Sequence, residues 1–234
     1  MSSVIHTEGL TKKYGDKTAL NSLDLTIDRG EIFCLLGQNG AGKTTTINLL
    51  LGFIKASSGE IYVNEEKVQK TNNITSKYLS YIPEIVQLYG NLTGLENLGF
   101  FSQLSGFKYS ATMLEGFLSR VGLQQEAHSQ RLSTYSKGMR QKVGIAIALA
   151  KNADVILMDE PTSGLDPKAT ADFTKICKEL AAGGKTIFMA THDIFNAVNV
   201  GTRIGIMKQG SLVHTISTKD ITANELQKLY LETI

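Results

Sequence analysis

The segment GQNGAGKT, Gly37 to Thr44, contains the residue types that bind a phosphate group. It fits the pattern GxxxxGK[ST], and it lies between an apolar, strand-like run and a helical stretch, as that pattern requires. The glycines let backbone N–H groups face a phosphate, and the N-terminus of the following helix adds positive potential. Lys43 can reach the β- and γ-phosphates of a nucleotide, and the Thr44 hydroxyl can ligate Mg²⁺. An ordinary glycine-rich turn is the alternative, which the agreement of pattern and context disfavours.

Two acids follow a second apolar run, in the segment VILMDEPTSGLDP. Asp159 emerges at the carboxyl end of the predicted strand, where open α/β sheets bind ligands. There it would complete a magnesium shell, and the adjacent Glu160 suits a general base for an attacking water molecule. A single acid at such a position is as often a helix cap. The paired acids, the proline after them and the upstream phosphate segment favour a role in a site.

A histidine follows a third apolar strand, in the segment Thr191-His192-Asp193. Because the carboxyl ends of parallel strands share one edge of a sheet, His192 could contact a γ-phosphate there. Taken alone, it would more often be a histidine that caps a helix. Its place after the two other strand ends favours the site.

The segment YSKGMRQK, Tyr135 to Lys142, precedes a long apolar stretch and suits a second anion-binding helix start. Ser136 is a good N-cap, and Gly138 allows close approach of another backbone. A helix from about Lys137 onward would aim its N–H groups at an anion.

The elements that must position these segments alternate between strands and helices over most of the chain. Residues 23–27 show the period of a half-buried antiparallel strand, and residues 32–36 form a continuous apolar run that suits a strand buried on both faces. From about residue 90 to 150, apolar residues recur at helical spacing. Strand and helix alternate again from residue 155, and a hairpin is expected around Gln209-Gly210.

Composition restricts the class of protein. The 234 residues carry a net charge of +2, so no strong field attracts nucleic acid or anionic lipid. No run approaches the roughly 18 apolar residues of a membrane span, and the N-terminus lacks the pattern of a signal peptide. Cys34 and Cys177 are expected to be reduced, partly buried thiols in a cytosolic protein.

Taken in order, these segments resemble the ATPase subunit of ATP-binding-cassette (ABC) transporters over nearly the whole chain. The resemblance makes Gly37–Thr44 the Walker A motif, Val155–Glu160 the Walker B motif and Tyr135–Met139 the signature motif. Ser163–Asp166 corresponds to the D-loop of that family, and His192 corresponds to its switch histidine. The ordered set is highly specific, whereas any member except Walker A would be weak alone.

Tyr14 stands where this family stacks an aromatic ring on adenine. Without the resemblance, a tyrosine in KKYGDK would be read as an exposed turn residue. Lys12 and Lys13 beside it are expected to form a solvated surface.

The resemblance implies a role for each site residue, with ATP and Mg²⁺ as cofactors. Catalysis would rest on Glu160, His192 and Lys43. ATP would be bound by Tyr14, Gly37, Gln38, Asn39, Gly40, Ala41, Gly42, Lys43, Thr44 and Thr45. The signature residues, which would face the ATP of a partner subunit, are Tyr135, Ser136, Lys137, Gly138 and Met139. Asp166 belongs to the D-loop, and the metal ligands would be Thr44 and Asp159, with Glu84 as a third candidate.

Two segments depart from the usual pattern of the family. The signature reads YSKGM rather than LSGGQ, so Lys137 replaces a glycine and Met139 a glutamine. Lys137 either adds positive charge near the phosphate or points to solvent, and the sequence leaves both open. Glu84 stands where the family usually has a glutamine that touches Mg²⁺ and the attacking water. Both departures resemble the branch paired with ABC-2 type permeases, which are mostly bacterial exporters.

The fold implied is α/β, with a P-loop core around a mostly parallel sheet, an N-terminal antiparallel β subdomain and a helical signature subdomain. The chain is expected to be one ABC ATPase domain, 1–234, with its core at about 1–85 and 152–234. The helical subdomain would span about 86–151.

The function implied is ATP hydrolysis that drives transport, in the direction of export, through a separate membrane permease. Two subunits would bind head to tail, as a homodimer or with a paired ATPase subunit, at the cytoplasmic face of a bacterial membrane, with no nucleic acid partner and no membrane insertion. Tyr89–Phe101 is expected to contact the permease. One alternative is a soluble ABC ATPase, as in iron–sulfur assembly. Another is a degenerate module without turnover, which the presence of Lys43, Asp159, Glu160 and His192 disfavours.

Overall fold

The strands of the protein form two sheets in the computed structural model, which describes residues 3–69 and 74–234. Numbered in chain order, the strands are β1 (Ser3–Tyr14), β2 (Lys17–Asp28), β3 (Ile32–Leu36), β4 (Ser58–Val63), β5 (Glu66–Lys67), β6 (Leu79–Ile82), β7 (Val155–Asp159), β8 (Thr186–Thr191), β9 (Arg203–Lys208) and β10 (Ser211–Ser217). The four-stranded sheet has the order β2-β1-β4-β5, and its neighbouring strands are antiparallel. On β2, alternate residues from Leu23 to Ile27 are buried, as their spacing predicts.

The six-stranded sheet carries the residues predicted to do chemistry. Its order is β10-β9-β3-β8-β7-β6, and every neighbouring pair is parallel except β9 and β10. Every residue of β3 and β8 is buried, because helices or the other sheet cover both faces. The central strands β3, β8 and β7 therefore end side by side at one edge. The predicted α/β fold, with one antiparallel and one mostly parallel sheet, is confirmed.

The helices begin where the sequence offers a capping side chain. Numbered in chain order, they are α1 (Lys43–Leu50), α2 (Gly94–Leu104), α3 (Ala111–Arg120), α4 (Gln125–His128), α5 (Lys137–Ala150), α6 (Pro167–Ala182), α7 (Ile194–Val200) and α8 (Ala223–Thr233). Thr93, Ser110, Ser136, Asp166, Asp193 and Thr222 each accept a hydrogen bond from the backbone N–H three residues later. In α1, by contrast, Gly42 takes the cap position and no side chain covers the first turn. The free N–H groups of that turn suit an external anion.

The helices α2 to α5 pack on one another. In the chain they lie between strands β6 and β7 of the large sheet. Leu98, Leu118 and Val143 are fully buried where α2, α3 and α5 meet. Tyr135 is buried among them, and its hydroxyl donates to the carbonyl of Ala127. The predicted domain limits also include residues 1–2 and 70–73, which lie outside the described residues, and the subdomain boundaries stay a prediction.

Both cysteines lie in the core of the large sheet. Cys34 on β3 and Cys177 on α6 are free thiols and completely buried, rather than partly buried as expected. Burial raises the pKa of Cys34 to about 12, so the thiol is inert at neutral pH. Over residues 3–69 and 74–234, no helix combines the length and apolar character that a membrane crossing needs.

Candidate nucleotide-hydrolysing site

The phosphate segment turns from the end of β3 into α1. Gly42 has a φ of 115°, which an L side chain rarely adopts, and a methyl group there would lie 2.7 Å from the Ala19 carbonyl oxygen. Gly37 has another reason to be glycine. A methyl group on it would lie 2.7 Å from the Met207 carbonyl oxygen and 2.9 Å from Cβ of Ala41. Gly37 thus packs against β9. It does not line the cavity that lies over this turn.

A cavity of about 350 Å³ lies over this turn. Its wall includes Tyr14, most of residues 38–45, and the carboxylates of Glu84, Asp159 and Glu160. The structure therefore brings together residues that lie more than a hundred positions apart in sequence. Ala41 is buried behind the turn and, like Gly37, lies outside the cavity wall.

Lys17 and Ala19 on β2 also line this cavity, and the sequence reasoning missed both. The signal available was weak: each lies a few residues after Tyr14, on a strand whose period predicts only which face is buried. Their place at the cavity depends on how the antiparallel sheet sits against the phosphate turn.

Lys43 is the most buried cation of the site. Its Nζ donates to the Gly37 carbonyl at 2.6 Å and lies 3.4 Å from both the Gln38 carbonyl and Oε1 of Glu160. Only 6% of the lysine side chain is exposed. The ammonium group is thus held by groups it can exchange for phosphate oxygens when a nucleotide enters.

Glu160 is held in a strained backbone conformation. Its φ is 45°, an uncommon value for a residue with a side chain, and such strain costs about 1–3 kcal/mol. Its Oε2 accepts from the backbone N–H of His192 at 3.2 Å and lies 2.8 Å from Nδ1 of the same residue. Backbone strain of this kind concentrates at functional sites, which agrees with the predicted role of Glu160.

His192 contacts Glu160, the acid that follows β7, rather than capping a helix. The N-cap of α7 is Asp193, whose Oδ1 accepts from the Asn196 N–H at 2.9 Å. The ring of His192 orients the Glu160 carboxylate through Nδ1. Within the described residues, Nε2 of the same ring forms no hydrogen bond. The predicted contact to a γ-phosphate stays a prediction.

Asp159 and Thr44 are in direct contact in the wall of the cavity. The Thr44 hydroxyl donates to Oδ2 of Asp159 at 2.9 Å. The pKa of the Asp159 carboxyl is raised by burial and by the carboxylates of Glu160 and Glu84, against the Thr44 hydrogen bond and the Lys43 charge, which lower it. A hydroxyl and a half-buried carboxylate are hard oxygen donors, so the donor set fits Mg²⁺.

The described residues hold no group of three His, Cys, Asp or Glu side chains that could bind a metal alone. Mg²⁺ is usually held by one or two protein oxygens together with the phosphates of the substrate.

Glu84 lines the cavity, and it also binds another loop of its own subunit. Oε1 of Glu84 accepts from the hydroxyl of Ser163 at 2.9 Å. Beneath them, Nε2 of Gln141 donates to the Pro161 carbonyl at 3.1 Å and approaches the Glu84 carbonyl at 3.4 Å. The loops after β6 and β7 are therefore tied together and to α5.

The signature residues form the start of α5. Ser136 is the N-cap, and its Oγ accepts from the Met139 N–H at 3.2 Å. The Tyr135 ring is buried in its own subunit and anchors the motif. Met139 is partly buried against the core, and Gly138 lies against α6 near Ala169. The exposed residue of this segment is Ser136, at the start of the helix.

Asp166 caps α6 in this structure. Its Oδ1 accepts from the Ala169 N–H at 2.8 Å. The D-loop acid therefore already has a partner within its own subunit, and a role across a subunit contact stays a prediction.

Tyr14 is half exposed at the mouth of the cavity. The ammonium group of Lys12 lies 4.8 Å from the centre of the Tyr14 ring, and it donates to the Lys55 carbonyl at 2.7 Å. The expectation of a solvated surface therefore needs correction for Lys12, which supports one face of the ring through a cation–π contact. The Tyr14 ring thus lines the cavity with a cation beside it.

The geometry at this edge of the sheet defines a P-loop nucleoside triphosphatase. A phosphate turn, a buried lysine and two adjacent acids meet there in the arrangement that phosphoryl transfer requires.

Comparisons with known proteins agree with this class. The model of the ABC transporter family matches residues 20–163. The bacitracin transport ATP-binding protein of Bacillus licheniformis is 36% identical over 217 residues, which are 92% of this chain and 70% of that protein. The linearmycin resistance ATP-binding protein of Bacillus subtilis (strain 168) is 32% identical over 218 residues, again 92% and 70%.

A solved structure supports the same assignment. The dimeric, post-hydrolysis state of the ATP-binding cassette MJ0796, bound to ADP and phosphate, matches with a TM-score of 0.80 at 28% identity. The match covers 92% of this chain and 98% of that one. The chain belongs to the ABC transporter family and is an ATP-hydrolysing cassette of it.

The packing role of Gly37 leads to a testable prediction. We expect Gly37→Ala to lower the free energy of unfolding by about 1–3 kcal/mol, because the added methyl group overlaps the Met207 carbonyl. Gly116→Ala is the matched control. It lies on α3 with open space around it, and it should raise stability by about 0.5–1 kcal/mol. Chemical denaturation measures both, and equal stabilities for Gly37→Ala and wild type would contradict the packing argument.

Proposed function

We propose that this cassette binds ATP with Mg²⁺ in the cavity above the phosphate turn, and that its hydrolysis drives export through a separate membrane permease. The observation that carries the proposal is the convergence of Lys43, Asp159 and Glu160 on one cavity. Each group comes from the carboxyl edge of the same sheet. Phosphoryl transfer depends mostly on positioning and on electrostatic stabilisation, and this edge supplies both.

The proposed roles follow from the contacts. Lys43 moves from the backbone carbonyls to the β- and γ-phosphates, while Glu160 accepts a proton from the attacking water. His192 holds the Glu160 carboxylate at 2.8 Å and so orients the base. Tyr14, supported by Lys12, stacks on the adenine ring.

Magnesium would be held by the Thr44 hydroxyl and the Asp159 carboxylate, with Glu84 as a third candidate oxygen. When bound, the ion neutralises charge that develops on the phosphate oxygens. The Thr44 and Asp159 side chains would hold the ion at a fixed place in the cavity.

The start of α5 is proposed to act on the ATP of a second subunit. Ser136 caps the N–H of Met139, and the positive potential of the helix N-terminus suits an anion brought from outside. A head-to-tail dimer would place this turn over the phosphates bound by the partner's copy of Lys43. The dimeric state of MJ0796 supports this proposal by relationship.

Export is favoured by the relatives. One is a bacitracin transport subunit and another a linearmycin resistance subunit, both named as ATP-binding proteins. A non-transport role such as iron–sulfur assembly has no such support. The peripheral place at a membrane follows from the proposal that the permease is another chain.

An exposed aromatic cluster is the proposed permease contact. Tyr89 lies edge-on to Phe100 at 5.2 Å and parallel to Phe101 at 6.1 Å between ring centres. Tyr89 and Phe100 are 49% and 43% exposed. Buried Asn97 fixes this loop, because its Nδ2 donates to the Tyr89 carbonyl at 3.0 Å and its Oδ1 accepts the Tyr89 N–H at 2.9 Å. Exposed aromatic residues on a rigid base are typical of contact surfaces.

The role of Glu160 gives the test of the proposed activity. We expect Glu160→Gln to reduce kcat for ATP hydrolysis by about 100-fold or more, since a general base contributes roughly 10²–10⁴-fold. The variant should still bind ATP and should accumulate as an ATP-bound dimer, measured by phosphate release and by size-exclusion chromatography with light scattering.

Glu126→Gln is the control, because Glu126 lies on α4 outside the cavity wall. It should leave both measurements unchanged. Turnover at the wild-type rate in Glu160→Gln would overturn the assignment of the base.

The aromatic cluster gives a second test. We expect Phe100→Asp to uncouple transport while soluble ATPase activity stays near the wild-type value, because the change adds a charge to a contact surface remote from Lys43 and Glu160. Phe53→Asp is the matched control, since Phe53 is also an exposed phenylalanine but lies after α1. Transport by membranes containing the permease, with ATPase measured in parallel, decides the matter. Normal transport in Phe100→Asp would contradict the proposed contact.

A further inference from the structure

Two of the positions at which this chain departs from the usual pattern of its family, Glu84 and Lys137, meet at one short segment. Glu84 lies two residues after β6, and Lys137 is the first residue of α5. They are far apart in sequence, yet both side chains reach Ser163-Gly164, in the loop between β7 and α6.

Glu84 contacts this segment through a hydrogen bond. Its Oε1 accepts from the Ser163 hydroxyl at 2.9 Å. The backbone on both sides is fixed by Gln141, whose amide nitrogen lies 3.1 Å from the Pro161 carbonyl oxygen and 3.4 Å from that of Glu84. The contact between Glu84 and Ser163 is therefore fixed, because buried Gln141 sets the distance between the two loops.

Lys137 contacts the same segment from the other element. A methyl group on the α-carbon of Gly164 would lie 3.8 Å from the Lys137 ammonium nitrogen. Gly164 has a φ of 66°, so the chain turns sharply beneath the cation. The start of α5 is held close, since a methyl group on Gly138 would lie 3.2 Å from Cβ of Ala169 and 3.8 Å from Cδ2 of Leu165.

The location of Lys137 answers the alternatives left by the sequence. Its side chain is half-buried, and its charge lies over the D-loop of its own subunit. A carboxylate and an ammonium group thus reach two consecutive residues, and their charges are opposite. Because both side chains meet the same short segment, a change at one alters the surroundings of the other.

We propose that Glu84 and Lys137 act as a pair of positioning residues that contact Ser163-Gly164 from two separate elements and thereby set the D-loop for hydrolysis. The proposal rests on the proposed ATPase activity of the site. In this account the glutamate and the lysine depend on each other. A glutamine at position 84 could keep the bond to Ser163 without the charge, whereas a glycine at position 137 has no side chain to reach Gly164.

A double-mutant cycle tests the pair. The variants are Glu84→Gln, Lys137→Met and the double variant, which remove each charge while keeping side-chain length. We expect each single variant to lower kcat by about three- to tenfold with KM for ATP little changed, and the double variant to lose no more than the worse single variant. Lys137→Arg should restore kcat to within about twofold of wild type, because it keeps the charge.

Lys142→Met is the matched control on the same helix. The Lys142 ammonium group binds Asp172 and the Gly122 carbonyl, away from the loop in question. Its effect on kcat should simply multiply with that of Glu84→Gln. If the effects of Glu84→Gln and Lys137→Met also multiply, the two residues act independently and the proposal is wrong.

A second readout separates the pair from a metal ligand. The Mg²⁺ concentration for half-maximal activity is measured for all four proteins of the cycle. An equal rise on Glu84→Gln with and without Lys137→Met would make Glu84 a magnesium ligand and overturn the pair.

The same cycle is run on the midpoint of thermal unfolding. The pair predicts that the two shifts are non-additive there too, even if the protein shows no turnover. Additive shifts would contradict the pair. Absence of turnover in the wild-type protein would count against the proposed function alone.

Discussion

The contact between the Lys43 ammonium group and the Glu160 carboxylate is the interaction on which the site depends. It joins the turn after β3 to the end of β7, across the intervening strand β8. Both groups are largely buried, so the pair forms only if all three strands end at the same level. A buried lysine without such partners would lower the stability of the fold. The strands must therefore keep the register that places Glu160 beside Lys43.

The rest of the fold keeps this edge in place. The turn of the β9–β10 hairpin braces the phosphate segment from behind, because the Gly210 N–H donates to the Ala41 carbonyl at 2.8 Å. The Gly210 carbonyl in turn accepts the N–H of Asn21 on β2 at 2.8 Å. The antiparallel sheet thus binds the hairpin, and the hairpin binds the phosphate turn. This explains why Gly37 and Gly42 must lack side chains even where no ligand touches them.

The sequence predicted elements well and side-chain directions poorly, for a physical reason. Periodicity shows which face of an element is buried, so the strand ending at Asp159 and the helix beginning near Lys137 were predicted nearly to the residue. Neither period nor motif shows where a long side chain ends. The cation–π support of Tyr14 by Lys12, and the reach of Lys137 to the D-loop, depend on the packing of separate elements.

The central claim is that one chain carries only half of a working site, with the phosphate turn in one copy and the start of α5 in another. Complementation tests it directly. Lys43→Ala disables the phosphate turn, and Ser136→Glu places a negative charge where the partner's phosphates would lie. Each variant alone should lack ATPase activity, and a mixture should regain it, because a mixed dimer contains one site built from two intact halves. A mixture as inactive as its two components would contradict the account.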